Sequence, residues 1–166
     1  MGASVLATAG PFMSDLQTQA VPRGNLHATL SFVGAVPPER LDALCAVAAS
    51  VRGKSFELTF DTFQYWAEPR VLVAGASEES FEASALSVKL RDAAIAAGFA
   101  PDAKPFRAHL TLARKISAEA AAKFSWPLKI SPGFVVHCEK FALMESRRTE
   151  GASIYSVVDE WPLYEK

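Results

Sequence analysis

Two tetrapeptides constrain this chain more than any other feature. His27-Ala28-Thr29-Leu30 and His109-Leu110-Thr111-Leu112 share the form His-x-Thr-Leu and begin 82 residues apart, each within a run of apolar and small residues. Side chains alternate across a strand, so His27, Thr29 and Ser31 are expected on one face while Leu26, Ala28, Leu30 and Phe32 pack beneath. The second copy repeats the arrangement, with His109 and Thr111 facing one way and Ala108, Leu110 and Leu112 facing a core. Each copy offers a titratable imidazole beside a hydroxyl on an apolar support. Whatever fold forms must place two such strands.

The remaining periodicity supplies their surroundings. Residues 26–33 read as a strand ended by Gly34 and Pro37-Pro38, and 39–52 as a helix striped with Leu41, Leu44, Cys45, Val47, Ala48 and Val51. Phe56 to Phe63 and Arg70 to Ala74 alternate on either side of a break and predict an antiparallel hairpin. Ser77, followed by Glu78-Glu79, is expected to cap a helix running to about Ala97, with Phe81, Leu86, Leu90 and Ile95 on its apolar stripe and Gly98 at its end. A strand over 106–113, a helix capped by Ser117, and closing antiparallel strands over 134–138, 140–145 and 154–158 complete the chain. This order predicts an α+β fold rather than a doubly wound parallel sheet. Neither the P-loop nor the dinucleotide-binding glycine pattern occurs.

Composition narrows the classes. With 166 residues, 50% of them hydrophobic and 21% charged, a single domain with its own core is expected. Lys plus Arg number 17 against 18 Asp plus Glu, so there is no long-range positive field to grip extended nucleic acid, and any such contact should be local. Cys45 and Cys138 lie far apart and form no metal-module or disulfide pattern, which fits a reducing cytoplasm. The first twenty residues lack a basic region, and Thr8, Gly10 and Pro11 interrupt their apolar stretch, so they do not read as a signal peptide. No apolar run approaches the ~18 residues needed to span a bilayer.

Two imidazoles suit phosphoester cleavage by paired acid and base. With an unperturbed pKa of about 6.5, one His can accept a proton while the other donates one. In-line attack at phosphorus requires these groups on opposite sides of the phosphate, and the threonines could donate hydrogen bonds to its non-bridging oxygens. Such a scheme needs neither metal nor cofactor.

At these residues the chain resembles the 2H phosphoesterase superfamily and, within it, the RNA 2′,3′-cyclic phosphodiesterases, historically called 2′-5′ RNA ligases. Two HxTx motifs define that family. Their flanks are similar too: Asn25-Leu26-His27 into Phe32-Val33-Gly34, Phe106-Arg107-Ala108-His109 into Leu112-Ala113-Arg114, then Leu143-Met144-Glu145-Ser146-Arg147 and Trp161-Pro162-Leu163. The resemblance implies one 2H phosphoesterase domain over 1–166, bilobal with pseudo-two-fold symmetry, one motif per lobe, mostly antiparallel sheets flanked by helices, and an open central cleft. It implies hydrolysis of 2′,3′-cyclic phosphates on RNA 3′ ends or small nucleotides to 2′-phosphomonoesters. His27 would be the proton donor to the departing 3′ oxygen, His109 the proton acceptor from water, and Thr29 and Thr111 the phosphate-binding hydroxyls. A monomer without membrane attachment is expected. Rival readings are another 2H phosphodiesterase, for 2′-5′ oligonucleotides or cyclic ADP-ribose phosphates, and a non-catalytic nucleotide-binding module. Only 26 residues precede His27, so Ser4-Val5-Leu6-Ala7 reads as a remnant of the family's opening strand, and the following Gly10-Pro11 and the short span leave little room for a full helix before the first motif.

Other candidates have plainer explanations. His137, with no Thr two places on, reads as structural or surface rather than as a third catalyst. Arg107, Arg114 and Lys115 could hold RNA phosphates, although basic residues at strand ends are commonly just solvated. Phe63, Tyr65 and Trp66 could stack a terminal base, with packing an equal alternative. Cys45 is expected to fill core.

Overall fold

Alternating apolar residues build the central strands. The computed structural model describes residues 2–16, 18, 20–149 and 152–165. Strands β1 (Phe56–Trp66) and β2 (Val71–Gly75) form the expected antiparallel hairpin, with Thr62 opposite Gly75 and Trp66 opposite Val71. Its turn closes through Arg70, whose N–H donates to the Trp66 carbonyl at 2.9 Å. β2 pairs antiparallel with β3 (His109–Arg114), and the sheet order is β3-β2-β1-β4, where β4 is Leu128–Cys138. Leu72, Val73 and Ala74 are all 0% exposed, so β2 is covered on both faces. With Phe60, Phe63, Leu110, Leu112 and Ile116 they form the core of one of two compact units, comprising Met1–Ala28, Leu58–Glu79 and Arg107–Val136. Each of these side chains larger than alanine contributes ~1.5–3 kcal/mol on burial.

Ser4 to Ala7 are not a strand. They lie in α1 (Gly2–Asp15), which continues through Pro11. Ala9, Met13 and Leu16 recur at four- and three-residue steps, are 0%, 6% and 2% exposed, and give the helix and the residue after it a continuous apolar face. α1 packs against β3. Burying a Met and a Leu, at ~1.5–3 kcal/mol each, offsets the ~3 kcal/mol cost of an interior proline. Ser117 caps α4 (Ala118–Ala121) as expected, its hydroxyl accepting from the Ala120 N–H at 3.0 Å.

The second unit comprises Thr29–Glu57, Ser80–Phe106 and His137–Lys166. Helices α2 (Leu41–Ser50) and α3 (Phe81–Ala96) pack on each other, and β5 (Lys140–Thr149) pairs with β6 (Ala152–Pro162) as a two-stranded antiparallel sheet. The cap of α3 is Ser80 rather than Ser77, its hydroxyl accepting from the Ala83 N–H at 3.3 Å. In the first unit Asp61 of β1 takes Ser77, accepting its N–H at Oδ1 and its hydroxyl at Oδ2. The buried stripe of α3 is Ala83, Leu86, Ser87 and Ala94, while Phe81 and Ile95 are 81% and 54% exposed. Steps of five residues carry 81 and 95 about 140° round the helix from 86 and 90, which removes them from the packed face. Gly98, at φ 79°, ends the helix, and Arg40 Nη2 donates to the neighbouring Ala97 carbonyl at 2.8 Å.

Among the described residues, 26–33 form no strand. Their backbone acceptors are satisfied singly: the Leu30 carbonyl accepts from Ser87 Oγ at 2.6 Å and the Phe32 carbonyl from the Asp102 N–H at 2.8 Å. Phe32 is 63% exposed rather than packed beneath. The whole is α+β, with antiparallel sheets flanked by helices.

Candidate active site

β3 displays the second motif as its alternation requires. Leu110 and Leu112 are 3% and 0% exposed, while His109 and Thr111, half-buried, share the other face. Across the ladder His109 lies opposite Gly75 and Thr111 opposite Val73, a bulge at Leu72/Val73 resetting the register beyond. The outer edge of β3 is occupied by the chain leading to the first motif: the Val21 N–H donates to the Leu112 carbonyl at 2.8 Å, and Ala20 bridges Ala113 antiparallel. A single 3-10 turn, Arg23–Asn25, then turns the chain and delivers His27 to the same unit as His109. The partition between the units falls after Ala28, so Thr29, which is exposed, belongs to the second.

The two imidazoles are anchored identically. His27 Nδ1 lies 2.7 Å from the Asn25 carbonyl, and His109 Nδ1 lies 2.7 Å from the Arg107 carbonyl. A carbonyl can only accept, so Nδ1 carries a proton in both rings, and Nε2 becomes the nitrogen that gains or loses one. Burial holds the pKa of His109 below that of an ordinary imidazole, assisted by the charges of Arg107, His27 and Arg114 and opposed by the bond to the Arg107 carbonyl. At neutral pH His109 therefore presents a lone pair at Nε2, the form a general base needs. His27 lies close enough for its charge to act on His109.

Aromatic residues of β1 divide as a strand must. Phe63 is 1% exposed in the core, and the Tyr65 hydroxyl donates to the Ile116 carbonyl at 3.5 Å. Trp66 points the other way and stacks on His109, ring centroids 4.6 Å apart and planes at 48°. Beyond it the Arg107 guanidinium sits 5.2 Å from the indole centroid. Gln64, two residues before Trp66, bridges the same face, accepting from the indole N–H at 3.1 Å and donating to Thr62 Oγ1 at 3.0 Å. Trp66 is a candidate from its residue type, whereas Gln64 gives no such signal. Its i, i+2 spacing to Trp66 is visible in the sequence, but the register that puts Trp66 against His109 and Gln64 opposite Val73 is not.

The other candidates lie elsewhere. His137 is exposed in the second unit and pairs with Glu57 through Nδ1 to Oε1 at 2.8 Å. Arg114 and Lys115 are exposed at the end of β3, Lys115 in the left-handed region at φ 63°. Cys45 is half-buried on α2, and burial, then Asp159 and Asp42, push its thiol pKa up, the opposite of an activated nucleophile. Among the described residues no three His, Cys, Asp or Glu side chains gather as metal ligands.

A family model described as LigT like Phosphoesterase matches residues 6–73 and 76–155, a span that contains both motifs. The chain belongs to the LigT-like phosphoesterase family. Its sequence is 30% identical over 146 residues to the RNA 2′,3′-cyclic phosphodiesterase of Escherichia coli K12, covering 86% of this chain and 78% of that protein. It is 39% identical over 102 residues to the Geobacillus stearothermophilus protein of the same name, 57% of this chain and 31% of the relative. Among solved structures, E. coli LigT complexed with 3′-AMP superposes at a TM-score of 0.84 with 25% identity, covering 98% of this chain and 90% of LigT. TT0787 of Thermus thermophilus matches at 0.78 and 24% identity over 99% of this chain and 94% of its own, which speaks to the fold alone. The resemblance read from two HxTx motifs and the LigT-like family assignment agree. No described helix is long and apolar enough to cross a membrane.

Proposed function

We propose that this LigT-like phosphoesterase hydrolyses 2′,3′-cyclic phosphates on RNA 3′ ends or small nucleotides, leaving 2′-phosphomonoesters. The carrying observation is the matched pair of imidazoles, each with Nδ1 tied to the carbonyl two residues before it, one of them held neutral. In the forward step a water oxygen attacks phosphorus while His109 Nε2 takes its proton. The bond from phosphorus to the 3′ oxygen breaks, and His27 Nε2 protonates that oxygen as it leaves. Protons and charge balance between the two rings, so no metal-bound hydroxide is required. Thr111, two residues past His109 on the same face, donates a hydrogen bond to a non-bridging oxygen. The names of the curated relatives support this substrate class, and the LigT complex with 3′-AMP supports a nucleotide-sized ligand. With Lys plus Arg at 17 against 18 acidic residues, binding is local to the phosphate terminus rather than spread along an RNA strand. The test is incubation of a nucleoside 2′,3′-cyclic phosphate and a cyclic-phosphate-ended oligonucleotide with the protein in excess EDTA. Clean 2′-phosphate product supports the proposal. A 3′-phosphate product reverses the roles of the leaving oxygens and overturns it, as does absence of turnover from a folded protein.

A further inference from the structure

One polar chain on the site face of β1 and β2 remains unused by that reaction. The Trp66 indole N–H donates to Gln64 Oε1 at 3.1 Å, Gln64 Nε2 donates to Thr62 Oγ1 at 3.0 Å, and the Thr62 hydroxyl donates to the Gly75 carbonyl at 3.0 Å. Its direction is fixed by chemistry. The indole nitrogen can only donate, which turns the amide oxygen of Gln64 toward it and the amide nitrogen toward Thr62. Both ends return to His109: Trp66 stacks on its ring, and Gly75 is its partner in the β2–β3 ladder. Thr62 is 6% exposed, so the inner link is shielded from water that would otherwise compete for it.

Gly75 is what gives Gln64 its seat. A Cβ there would stand 2.5 Å from Gln64 Nε2, 3.0 Å from its Cδ and 3.3 Å from Thr62 Oγ1. Any larger residue would displace the amide. The residue opposite His109 is thus also the one whose lack of a side chain lets Gln64 lie across the strands.

We propose that Gln64 is a positioning residue, which locks the Trp66 indole against the His109 ring through a relay seated on Gly75. The indole limits how far His109 can rotate about its Nδ1 anchor and covers one side of the ring, so Nε2 keeps one direction and water is kept from that face. A bare strand would leave the imidazole a choice of rotamers. Misplacing a catalytic group by about 1 Å can cost 10²-fold in rate, and this relay holds that distance.

The consequence for turnover rests on the proposed role of His109 as base, whereas the consequence for the imidazole does not, and the experiment reads both. Gln64→Leu removes both hydrogen bonds and keeps an apolar filler. Expected are a roughly 10- to 100-fold loss in kcat with KM changed less, a moved indole N–H resonance in NMR, and a His109 titration midpoint displaced upward toward that of an ordinary histidine. Gly75→Ala should do the same in the wild-type background and add little when combined with Gln64→Ala. An unchanged His109 midpoint in Gln64→Leu, or a Gly75→Ala effect of equal size in both backgrounds, overturns the proposal. If Gly75→Ala fails to fold, the Gln64→Leu titration decides alone. An inactive wild-type protein whose His109 titration still responds to Gln64→Leu sinks the functional reading and leaves the relay standing. Active wild type with an unresponsive ring does the reverse.

Discussion

Replacing His109 by alanine separates chemistry from folding, because the structure bounds what each can lose. Among the described residues, the imidazole is held by Nδ1–H to the Arg107 carbonyl at 2.7 Å and by the Trp66 ring at 4.6 Å between centroids. A hydrogen bond contributes about 0.5–1.5 kcal/mol net and a ring pair a similar amount, so the substitution should cost about 1–3 kcal/mol of stability. Against a usual total of 5–15 kcal/mol, even the worst case leaves about thirty folded molecules for each unfolded one. Unfolding then removes only a few per cent of the activity, whereas loss of a general base removes roughly 10²- to 10⁴-fold. The assay is chromatographic product formation from a nucleoside 2′,3′-cyclic phosphate at saturating substrate, alongside thermal denaturation followed by circular dichroism. A folded His109→Ala protein that keeps more than about one-tenth of wild-type kcat would refute the assignment of His109 as base.

Three further outcomes follow from the same geometry. Because burial, then Arg107, His27 and Arg114, hold His109 below the ordinary imidazole pKa, the acid limb of kcat/KM should lie below pH ~6.5, and Arg107→Gln should move it upward; a downward move contradicts the assigned cause. The native state binds fewer protons at this ring than the unfolded chain does, so its contribution to stability is present above pH ~6.5 and is lost as pH falls through the lowered native value. Denaturant midpoints of wild type and His109→Ala, compared across that window, should converge toward low pH. Leu112→Ala, at a 0% exposed position on the underside of the motif strand, should cost ~2.7–5.0 kcal/mol and lower the melting temperature by roughly 5–20 °C. A smaller shift would mean that the strand is not anchored from beneath.

The candidate site was legible in the sequence to the extent that it resides in residue type and repetition. Two His-x-Thr-Leu units named the imidazoles, and the alternation of Leu110 and Leu112 against His109 and Thr111 correctly gave their faces. Ser117 as a cap and the β1–β2 hairpin were equally local, since each depends on neighbours within a few residues. Misreadings arose where a distant residue intervened. Ser77 has the credentials of a helix cap, but Asp61, sixteen residues earlier, takes both its donors and the helix starts at Ser80. Pro11 argued against a helix until β3 gave α1 a face to bury. The run from Leu26 to Val33 alternates like a strand, yet its carbonyls at Leu30 and Phe32 are satisfied by Ser87 and Asp102 instead of by a ladder.

Periodicity and residue chemistry are local properties, so the order of amino acids was enough to specify most elements, the α+β class and the two motif imidazoles as candidates. Packing settled the rest: that Trp66 rather than Phe63 meets His109, that Gln64 spans to Gly75, and that one imidazole is held neutral. Those outcomes depend on strand register and on exclusion of water. Both arise between segments far apart in the chain, and neither is written at any single position.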